Sequence, residues 1–362
     1  MTNTLKQQPG VQPNPFLARC EAYAPPVPET RITLRLDRNE GPPCDASLLD
    51  VLRTLDVETV RRYPDTVEVE SLLARRFGLD PNRVLLTNGG DDAIERCCRA
   101  VLEPGRELLL PVPTFEMIPK RAALCGATIT EVEWGAKPFP LDDLLDRAGP
   151  ATSMIAIVTP NNPTGAVIAP RDIEQIAALN PNTLVLLDLA YVEFASDDPT
   201  ALALAFPNVV VIRTFSKAYG IAGLRCGYAL GSPAIIDWLR RVGNPYALSG
   251  PTLNVVKRLL DANLQPDGEY LKRIRTERVE LEGFIDERGG RAASSQANFV
   301  FARFEDAEAI RVSLAKQGIA VRSFPTTPFL ENGLRITCPG SELEFDRLRA
   351  ALKLSIQEGV SS

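Results

Sequence analysis

Residues 214–225 read Thr-Phe-Ser-Lys-Ala-Tyr-Gly-Ile-Ala-Gly-Leu-Arg and come directly after the apolar run 209–212. The run is typical of a buried strand. Its end therefore carries hydroxyl groups, the amine of Lys217 and the guanidinium of Arg225. An amine can form a Schiff base, and hydroxyl and guanidinium groups can bind a phosphate. A lysine in a turn is more often simply exposed, so the rest of the chain has to decide between these interpretations.

Short apolar runs alternate with helical patterns through much of the chain. Seven runs predict strands, at residues 84–86, 107–110, 128–132, 154–158, 183–187, 209–212 and 226–230. Helical patterns lie between most of them, for example at 91–102, 115–125 and 171–179. This alternation predicts an α/β fold in which helices cover both faces of a mainly parallel, seven-stranded sheet.

The C-terminal part has an alternation of its own. A long helical pattern begins near Pro251 and continues to about residue 288. After it, strands are predicted at 299–303, 320–322 and 334–337, and helices at 306–317 and 342–356. We therefore expect an N-terminal arm (1–30), a large domain (31–249), and a linking helix with a smaller α/β domain (250–362).

Composition excludes several classes of protein. The 362 residues carry 40 basic and 46 acidic side chains, a formal charge of −6. A general nucleic-acid-binding protein is expected to be basic, so no nucleic-acid partner is expected. No run approaches the roughly 18 apolar residues of a membrane span, and residues 1–15 lack a signal peptide's apolar core. The seven cysteines form no CxxC pair, which favours reduced thiols in a cytoplasmic protein.

The chain contains no histidine. Catalytic triads and metal sites that depend on histidine are therefore excluded, and no metal is expected. Proton transfer must fall to Lys, Tyr, Asp, Glu or Cys.

Polar residues follow the predicted strands at their carboxyl ends, where ligands bind in sheets of this kind. Asp188 closes the run 183–187, and a buried carboxylate is costly unless it has a partner. That partner is either a backbone amide, an arginine, or the protonated ring nitrogen of pyridoxal phosphate, which a carboxylate keeps charged. Tyr191 is a packed aromatic residue or a partner of the ring's phenolic oxygen. Asn162, in the turn sequence Asn-Asn-Pro-Thr-Gly, can direct its amide at the same ligand.

Two further segments suit a phosphorylated ring. Gly89-Gly90-Asp91-Asp92 precedes a predicted helix, and free N–H groups at a helix start bind phosphate when glycine allows close approach. A plain turn is the alternative interpretation. Phe115 can cover a flat ring or pack in the core.

Together the motifs resemble those of fold type I pyridoxal-phosphate aminotransferases, and within them the histidinol-phosphate aminotransferase branch. The resemblance extends from about Tyr23 to Leu352. Its most specific parts are Asn-Asn-Pro-Thr-Gly at 161–165 and Arg-Thr-Phe-Ser-Lys-Ala-Tyr at 213–219, which continues to residue 227; Tyr-Pro-Asp at 63–65 and Leu-Arg-Ile-Thr at 334–337 add support.

The resemblance implies roles for residues around the cofactor. Lys217 resembles the lysine that holds the cofactor covalently, and Asp188 resembles the partner of its ring nitrogen. Asn162 and Tyr191 match groups on the phenolic oxygen, and Phe115 takes the ring-stacking position. The residues that match the phosphate cup are Gly90, Asp91, Thr214, Ser216 and Arg225.

The resemblance also implies substrate and partner positions. Arg335 matches the arginine that binds the substrate α-carboxylate, a task suited to its forked guanidinium. Arg322 matches a position that can meet a distal phosphate. Tyr23 and Asn39 lie where the family's N-terminal segment covers the substrate. Tyr63 matches a tyrosine that reaches the phosphate of the neighbouring subunit, which implies a homodimer.

Three positions depart from the family's usual pattern, and all are expected near the substrate lid. Leu189 replaces a glutamate, which removes a charge near the site. Pro26 replaces a glycine, and Arg38 is unusual within Asp-Arg-Asn-Glu-Gly. These departures concern the choice of substrate more than the cofactor.

The resemblance implies a ping-pong transfer of an amino group from a donor such as histidinol phosphate to 2-oxoglutarate, within amino-acid biosynthesis. Lys217 would serve as covalent anchor and as base. The alternatives are an aromatic amino-acid aminotransferase, a decarboxylase of the threonine-phosphate type, which needs no oxo acceptor, and a pyridoxal-phosphate-binding protein without turnover.

Overall fold

The computed structural model describes residues 14–20, 22, 30–135 and 138–360. Its strands are β1 (Leu34–Leu36), β2 (Val84–Thr87), β3 (Glu107–Val112), β4 (Thr128–Glu133), β5 (Thr152–Val158), β6 (Leu184–Asp188), β7 (Val209–Thr214), β8 (Gly227–Gly231), β9 (Arg291–Ala292), β10 (Phe299–Arg303), β11 (Ile319–Ser323) and β12 (Gly333–Thr337). Its helices are α1 (Ala46–Arg53), α2 (Val57–Arg61), α3 (Val67–Phe77), α4 (Gly89–Val101), α5 (Met117–Leu124), α6 (Leu141–Arg147), α7 (Pro170–Leu179), α8 (Thr200–Ala203), α9 (Pro233–Val242), α10 (Gly250–Asp261), α11 (Gly268–Asp286), α12 (Ala307–Lys316) and α13 (Glu342–Val360).

The larger sheet has the expected seven strands, in the order β2-β8-β7-β6-β5-β3-β4. Strand β8 is antiparallel to both of its neighbours, and the pairs from β7 to β4 are parallel. The central strands are apolar on both faces because helices cover the sheet on both sides. The α/β fold with a mainly parallel sheet is therefore confirmed.

A second sheet contains five strands, in the order β1-β11-β12-β10-β9. Strand β1 was not expected, because three residues reading Leu-Arg-Leu carry too little pattern to identify a strand. It pairs in parallel with β11, with Leu34 opposite Ile319. The expected boundary at residue 31 gives this strand to the large domain, whereas the structure pairs it with the C-terminal strands.

The expectation of one long helix from residue 251 to about 288 is wrong. Helix α10 ends at Asp261, and α11 begins seven residues later at Gly268. Asn263 has a positive φ of 48°, Pro266 disfavours a helical residue before it, and Asp267 caps α11 by accepting from the N–H groups of Glu269 and Tyr270. These turn and capping signals were present in the sequence.

Alternation along β6 decides on which face the polar residues lie. Leu187 packs in the core on one face of the seven-stranded sheet, and Leu186 packs in the core on the other face with residues of α4. A third core covers the five-stranded sheet. Since side chains alternate along a strand, Asp188 lies on the same face as Leu186.

Truncation of the central strand should cost far more than truncation at the surface. We expect Leu187→Ala to lower the free energy of unfolding by about 2–5 kcal/mol, because Leu187 is fully buried and leaves a cavity. Leu179→Ala, at the exposed end of α7, is the control and should cost less than about 0.5 kcal/mol. Urea unfolding followed by circular dichroism measures both losses, and equal losses would contradict this account of the core.

Candidate active site

A cavity of about 710 Å³ opens at the carboxyl ends of the parallel strands. Asp188 ends β6, and its register partners Val158 on β5 and Ile212 on β7 also line the cavity. The expected site residues that the structure brings to this cavity are Asn39, Gly90, Asp91, Phe115, Asn162, Asp188, Tyr191, Thr214, Ser216, Lys217, Arg225, Arg322 and Arg335.

The Asp188 carboxylate is almost completely buried against this cavity. Burial raises the pKa of Asp188 from 3.8 to about 7. The Ala190 N–H, which donates a hydrogen bond to Oδ1 at 3.0 Å, opposes this rise, and so does the charge of Lys217, whereas the charge of Asp91 adds to it. A cation bound in the cavity beside this carboxylate would restore its charged form.

Lys217 lies half-buried on the cavity wall. Its Nζ donates a hydrogen bond to the backbone oxygen of Arg38 at 3.3 Å and lies 5.5 Å from the centre of the Tyr191 ring. The amine is therefore held between the strand ends of the larger sheet and the segment that follows β1.

Hydroxyls, a helix start and a guanidinium converge on one side of the cavity. Thr214 Oγ1 donates to Ser216 Oγ at 2.9 Å. Arg225, in a left-handed conformation with φ of 51°, pairs with Asp91 at 3.5 Å in the first turn of α4. Gly89, which has a positive φ of 76°, lies directly beside this guanidinium, since a Cβ at Gly89 would lie 2.6 Å from Arg225 Nη2. Free N–H groups and a cation at such a place suit a phosphate.

Arg335 extends from β12 of the smaller sheet to the end of β5. Its Nη1 donates to Asn162 Oδ1 at 2.6 Å, and its Nη2 donates to the backbone oxygen of Asp37 at 2.6 Å. Its guanidinium carbon also lies 5.5 Å from the centre of the Phe299 ring. These contacts hold the buried guanidinium in one orientation at the cavity.

Asn39 and Tyr191 meet across the two sheets. Asn39 Nδ2 donates to the Tyr191 hydroxyl at 3.0 Å, and Asn39 Oδ1 accepts from Thr337 Oγ1 at 2.9 Å. The Tyr191 ring packs edge-on against Phe299, with ring centres 5.2 Å apart. Both interpretations of Tyr191 are thus compatible with its position, since it packs as an aromatic residue and also lines the cavity.

The outer wall of the cavity mixes apolar and charged groups. Phe115, Met117 and Phe324 supply apolar surface. Arg322 pairs with Glu116 at 3.4 Å. Glu116 was not recognised in the sequence, although it directly follows Phe115; a surface helix start with a glutamate is too common to serve as a signal.

Among the expected site residues that the structure describes, Tyr63 does not line this cavity. Tyr63 is 78% exposed and stacks on Tyr246, with ring centres 4.4 Å apart. It lines a separate depression with residues of α2, α3 and α10. Tyr23 and the departure at Pro26 lie outside the described residues.

The expectation that position 189 lies near the substrate lid is wrong. Leu189 follows Asp188, so its side chain faces the opposite side of the sheet, where it is fully buried in the hydrophobic core. The buried carboxylate in that region is Glu193, which pairs with Arg213 at 2.9 Å. Asp198 pairs with the same arginine at 2.8 Å. The departure at Leu189 thus concerns the interior of the fold.

The departure at Arg38 does lie at the cavity. The exposed side chain lines the opening, and its backbone oxygen accepts from Lys217. Asp37 beside it was missed by sequence reasoning, because it acts through its backbone oxygen on Arg335, and a backbone acceptor leaves no trace in residue type.

The described part of the chain gives two further negative findings. No helix in it is both long enough and apolar enough to cross a membrane. No group of three or more Cys, Asp or Glu side chains in it is arranged to hold a metal ion.

A lysine, a buried carboxylate and an arginine that meet at one cavity of an α/β fold are the arrangement expected of a fold type I enzyme. The model of the family "Aminotransferase class I and II" matches residues 33–352. The chain belongs to this family. It is 34% identical over 351 residues to histidinol-phosphate aminotransferase 2 of Burkholderia mallei, covering 93% of this chain and 97% of the relative.

Solved structures agree with the fold. The crystal structure of histidinol-phosphate aminotransferase from Sinorhizobium meliloti in complex with pyridoxal-5'-phosphate superimposes with a TM-score of 0.79 at 26% identity, covering 91% of this chain and 92% of that one. L-threonine-O-3-phosphate decarboxylase from Porphyromonas gingivalis reaches 0.78 at 20% identity, covering 90% and 99%. The second likeness shows the fold alone.

The buried carboxylate should make the cofactor-free protein sensitive to pH. Because the folded state holds the Asp188 proton up to about pH 7 and the unfolded chain only to about 3.8, stability should fall as pH rises through this window. Between pH 4 and pH 8 the free energy of unfolding of the cofactor-free wild type should fall by roughly 2–4 kcal/mol more than that of the Asp188→Asn variant. Urea unfolding at each pH measures the difference.

Asp142→Asn, an exposed substitution on α6, is the control. Because this variant keeps Asp188, the slope of its free energy of unfolding against pH should equal that of the wild type. A slope that is the same in the Asp188→Asn variant would show that Asp188 does not titrate in this range.

Proposed function

We propose that this protein is a pyridoxal-phosphate-dependent aminotransferase that moves an amino group from a donor of the histidinol-phosphate type to 2-oxoglutarate. The observation that carries the proposal is the convergence of the Lys217 amine, the buried Asp188 carboxylate and the fixed Arg335 guanidinium on one cavity. The name of the Burkholderia mallei relative, which this chain matches over nearly its full length, supports the choice of donor.

The residues present fit the cofactor. Asp188 is a carboxylate whose burial leaves it in need of a cation, and a protonated ring nitrogen supplies one. Thr214, Ser216, Arg225 and the start of α4 form a cup for a phosphate. Phe115 supplies an apolar surface for the ring. The Asn162 and Tyr191 side chains are available to its phenolic oxygen.

When bound, the cofactor supplies an electron-withdrawing ring that accepts the electrons left on the substrate carbon. Lys217 would hold the cofactor and, as a neutral amine, would accept the proton from the substrate Cα and later give it back. The Arg38 backbone oxygen accepts a hydrogen bond from Nζ and so holds this amine at the cavity. A chain without histidine can thus perform the proton transfer with one lysine.

Arg335 orients the substrate. Two of its donors are already engaged by Asn162 and by the backbone of Asp37, so the plane of the guanidinium is set before substrate arrives. A carboxylate is the group that such a fork recognises. This preorganisation fixes the α-carboxylate and places the neighbouring Cα for transfer.

The outer wall fits a donor with a planar ring and an anionic end. Phe115 and Phe324 can contact a ring, and Arg322, with Arg38 at the opening, supplies positive charge. An aromatic amino acid would use the apolar surface alone, whereas a donor with a phosphate would also use the positive charge of Arg322 and Arg38. The phosphate-bearing donor is therefore favoured over the aromatic one.

We also propose that the protein acts as a cytoplasmic homodimer. The described surface carries a group of exposed apolar side chains around α2, namely Val57, Val60, Tyr63, Val67 and Tyr246, and a group of this kind marks a contact surface. Tyr63 lies within it, which agrees with its expected contact with the neighbouring subunit. The cysteines are unpaired, as expected in a reducing compartment. A molar mass of one chain in analytical ultracentrifugation would rule out the dimer.

Removal of the amine should abolish turnover without unfolding the protein. We expect Lys217→Ala to lower kcat by about 10²–10⁴-fold or more, because the substitution removes both the group that anchors the cofactor and the base that transfers the proton. Lys316→Ala, an exposed substitution at the end of α12, should leave kcat unchanged. A coupled assay for glutamate formation measures kcat, and circular dichroism confirms folding. Substantial activity in Lys217→Ala would exclude the mechanism.

A panel of donors should identify the substrate class. Histidinol phosphate should show a higher kcat/KM than phenylalanine, and Arg322→Ala should lower kcat/KM for histidinol phosphate by about tenfold or more, since it removes a charged hydrogen bond. The same variant should leave phenylalanine unaffected. An equal decrease in kcat/KM for both donors would show that Arg322 does not bind the distal anion. Release of carbon dioxide without an oxo acceptor would instead indicate a decarboxylase.

A further inference from the structure

Three consecutive residues after β1 each contact a different residue of the candidate active site. The Asp37 backbone oxygen accepts from Arg335 at 2.6 Å, and the Arg38 backbone oxygen accepts from Lys217 at 3.3 Å. Asn39 donates its side-chain amide to the Tyr191 hydroxyl at 3.0 Å. We name residues 37–41 the strap. Asp37 and Arg38 make their contacts through backbone oxygens, so Asn39 is the strap residue whose contact depends on its side chain.

The strap is anchored to the five-stranded sheet. Strand β1 precedes it and pairs with β11. Thr337 Oγ1 lies 2.9 Å from both Leu36 O and Asn39 Oδ1, and Asn298 Nδ2 donates to the Asn39 backbone oxygen at 3.5 Å. Thr337 lies on β12, two residues beyond Arg335. The smaller sheet therefore holds the strap by its backbone and by the Asn39 side chain.

The strap is also packed tightly against the loop that carries Lys217. A Cβ at Gly41 would lie 1.7 Å from the backbone oxygen of Lys217. Asn39 is only 1% exposed and has a positive φ of 54°. A buried side chain on a left-handed backbone has little freedom, so its amide is fixed between Thr337 and Tyr191.

The polarity of this hydrogen bond has a consequence for Tyr191. The hydroxyl oxygen accepts from Asn39, so the hydroxyl proton is left to donate elsewhere. Tyr191 lines the cavity, and the centre of its ring lies 5.5 Å from Lys217 Nζ. A Tyr191 held in this way presents a donor, not an acceptor, to whatever binds there.

We propose that Asn39 is a positioning residue that directs the proton of the Tyr191 hydroxyl into the cavity, and that it does so while the five-stranded sheet is docked through Thr337. This inference rests on the proposed function, because the acceptor of that proton is the phenolic oxygen of pyridoxal phosphate. Through Thr337, Asn39 and Tyr191, the five-stranded sheet thereby influences the charge distribution around the Lys217 nitrogen.

The expected effect has a definite sign. A hydrogen bond from Tyr191 stabilises negative charge on the cofactor oxygen and weakens that oxygen's hold on the proton of the Lys217 nitrogen. Loss of the bond lets the nitrogen keep its proton to higher pH. This proton sets the visible absorbance of the bound cofactor, so its titration can be followed without any turnover.

The experiment is a double-substitution cycle on the cofactor-loaded protein. Asn39→Gly removes the amide and tolerates the positive φ, and we expect it to raise the pH midpoint of the absorbance change by about 0.5–1 unit. Tyr191→Phe should raise the midpoint as well. Adding Asn39→Gly to Tyr191→Phe should cause no further rise, because Asn39 acts through the hydroxyl. Thr337→Val should give a smaller rise in the same direction.

Asn263→Gly is the matched control, since Asn263 also has a positive φ but lies between α10 and α11; its midpoint should equal that of the wild type. An unchanged midpoint in Asn39→Gly, or equal rises from Asn39→Gly in both backgrounds, would overturn the inference while leaving the proposed function intact. Absence of any visible absorbance from the wild type mixed with pyridoxal phosphate would instead overturn the proposed function.

Discussion

The buried carboxylate of Asp188 is the constraint around which the site is arranged. A charge at the end of a buried strand is unfavourable unless a partner compensates for it, and within the described chain the Ala190 N–H and the Lys217 amine do so only in part. The alternation of β6 directs this carboxylate to the face covered by α4, where the cavity opens. A cation that binds there is therefore favoured by the fold itself, and the lysine, the hydroxyls and the helix start surround the space that such a ligand would fill.

The second constraint is that the cavity is made from both sheets. The seven-stranded sheet supplies Asp188, Tyr191 and Lys217, whereas the five-stranded sheet supplies Arg335. Strand β1 belongs to the smaller sheet, and the residues that follow it line the cavity. The residue proposed to bind the substrate carboxylate and the residues proposed to bind the cofactor thus lie on different sheets. Hydrogen bonds such as that from Arg335 to Asn162 connect the two sheets.

Much of the fold could be predicted because its signals are local. All seven strands of the larger sheet follow from short apolar runs, and their bounds differ by only a few residues in the structure. Strand β1 escaped because three residues carry too little pattern. The break between α10 and α11 was overlooked, although Asn263, Pro266 and Asp267 signalled it. Position 189 was misjudged because nearness in sequence to Asp188 does not mean nearness in space when side chains alternate.

The sequence by itself determined the chemistry that is available. A lysine beside hydroxyls, an aspartate at a strand end and an arginine in a late strand follow from residue type and spacing, and the absence of histidine leaves proton transfer to other side chains, lysine among them. Only the tertiary structure decided how these groups are oriented. The contacts of Asp37 and Arg38 use backbone oxygens, which every residue type possesses, and the contact of Asn39 with Tyr191 joins positions 152 residues apart. Such contacts depend on how two sheets dock, and no local pattern encodes that arrangement.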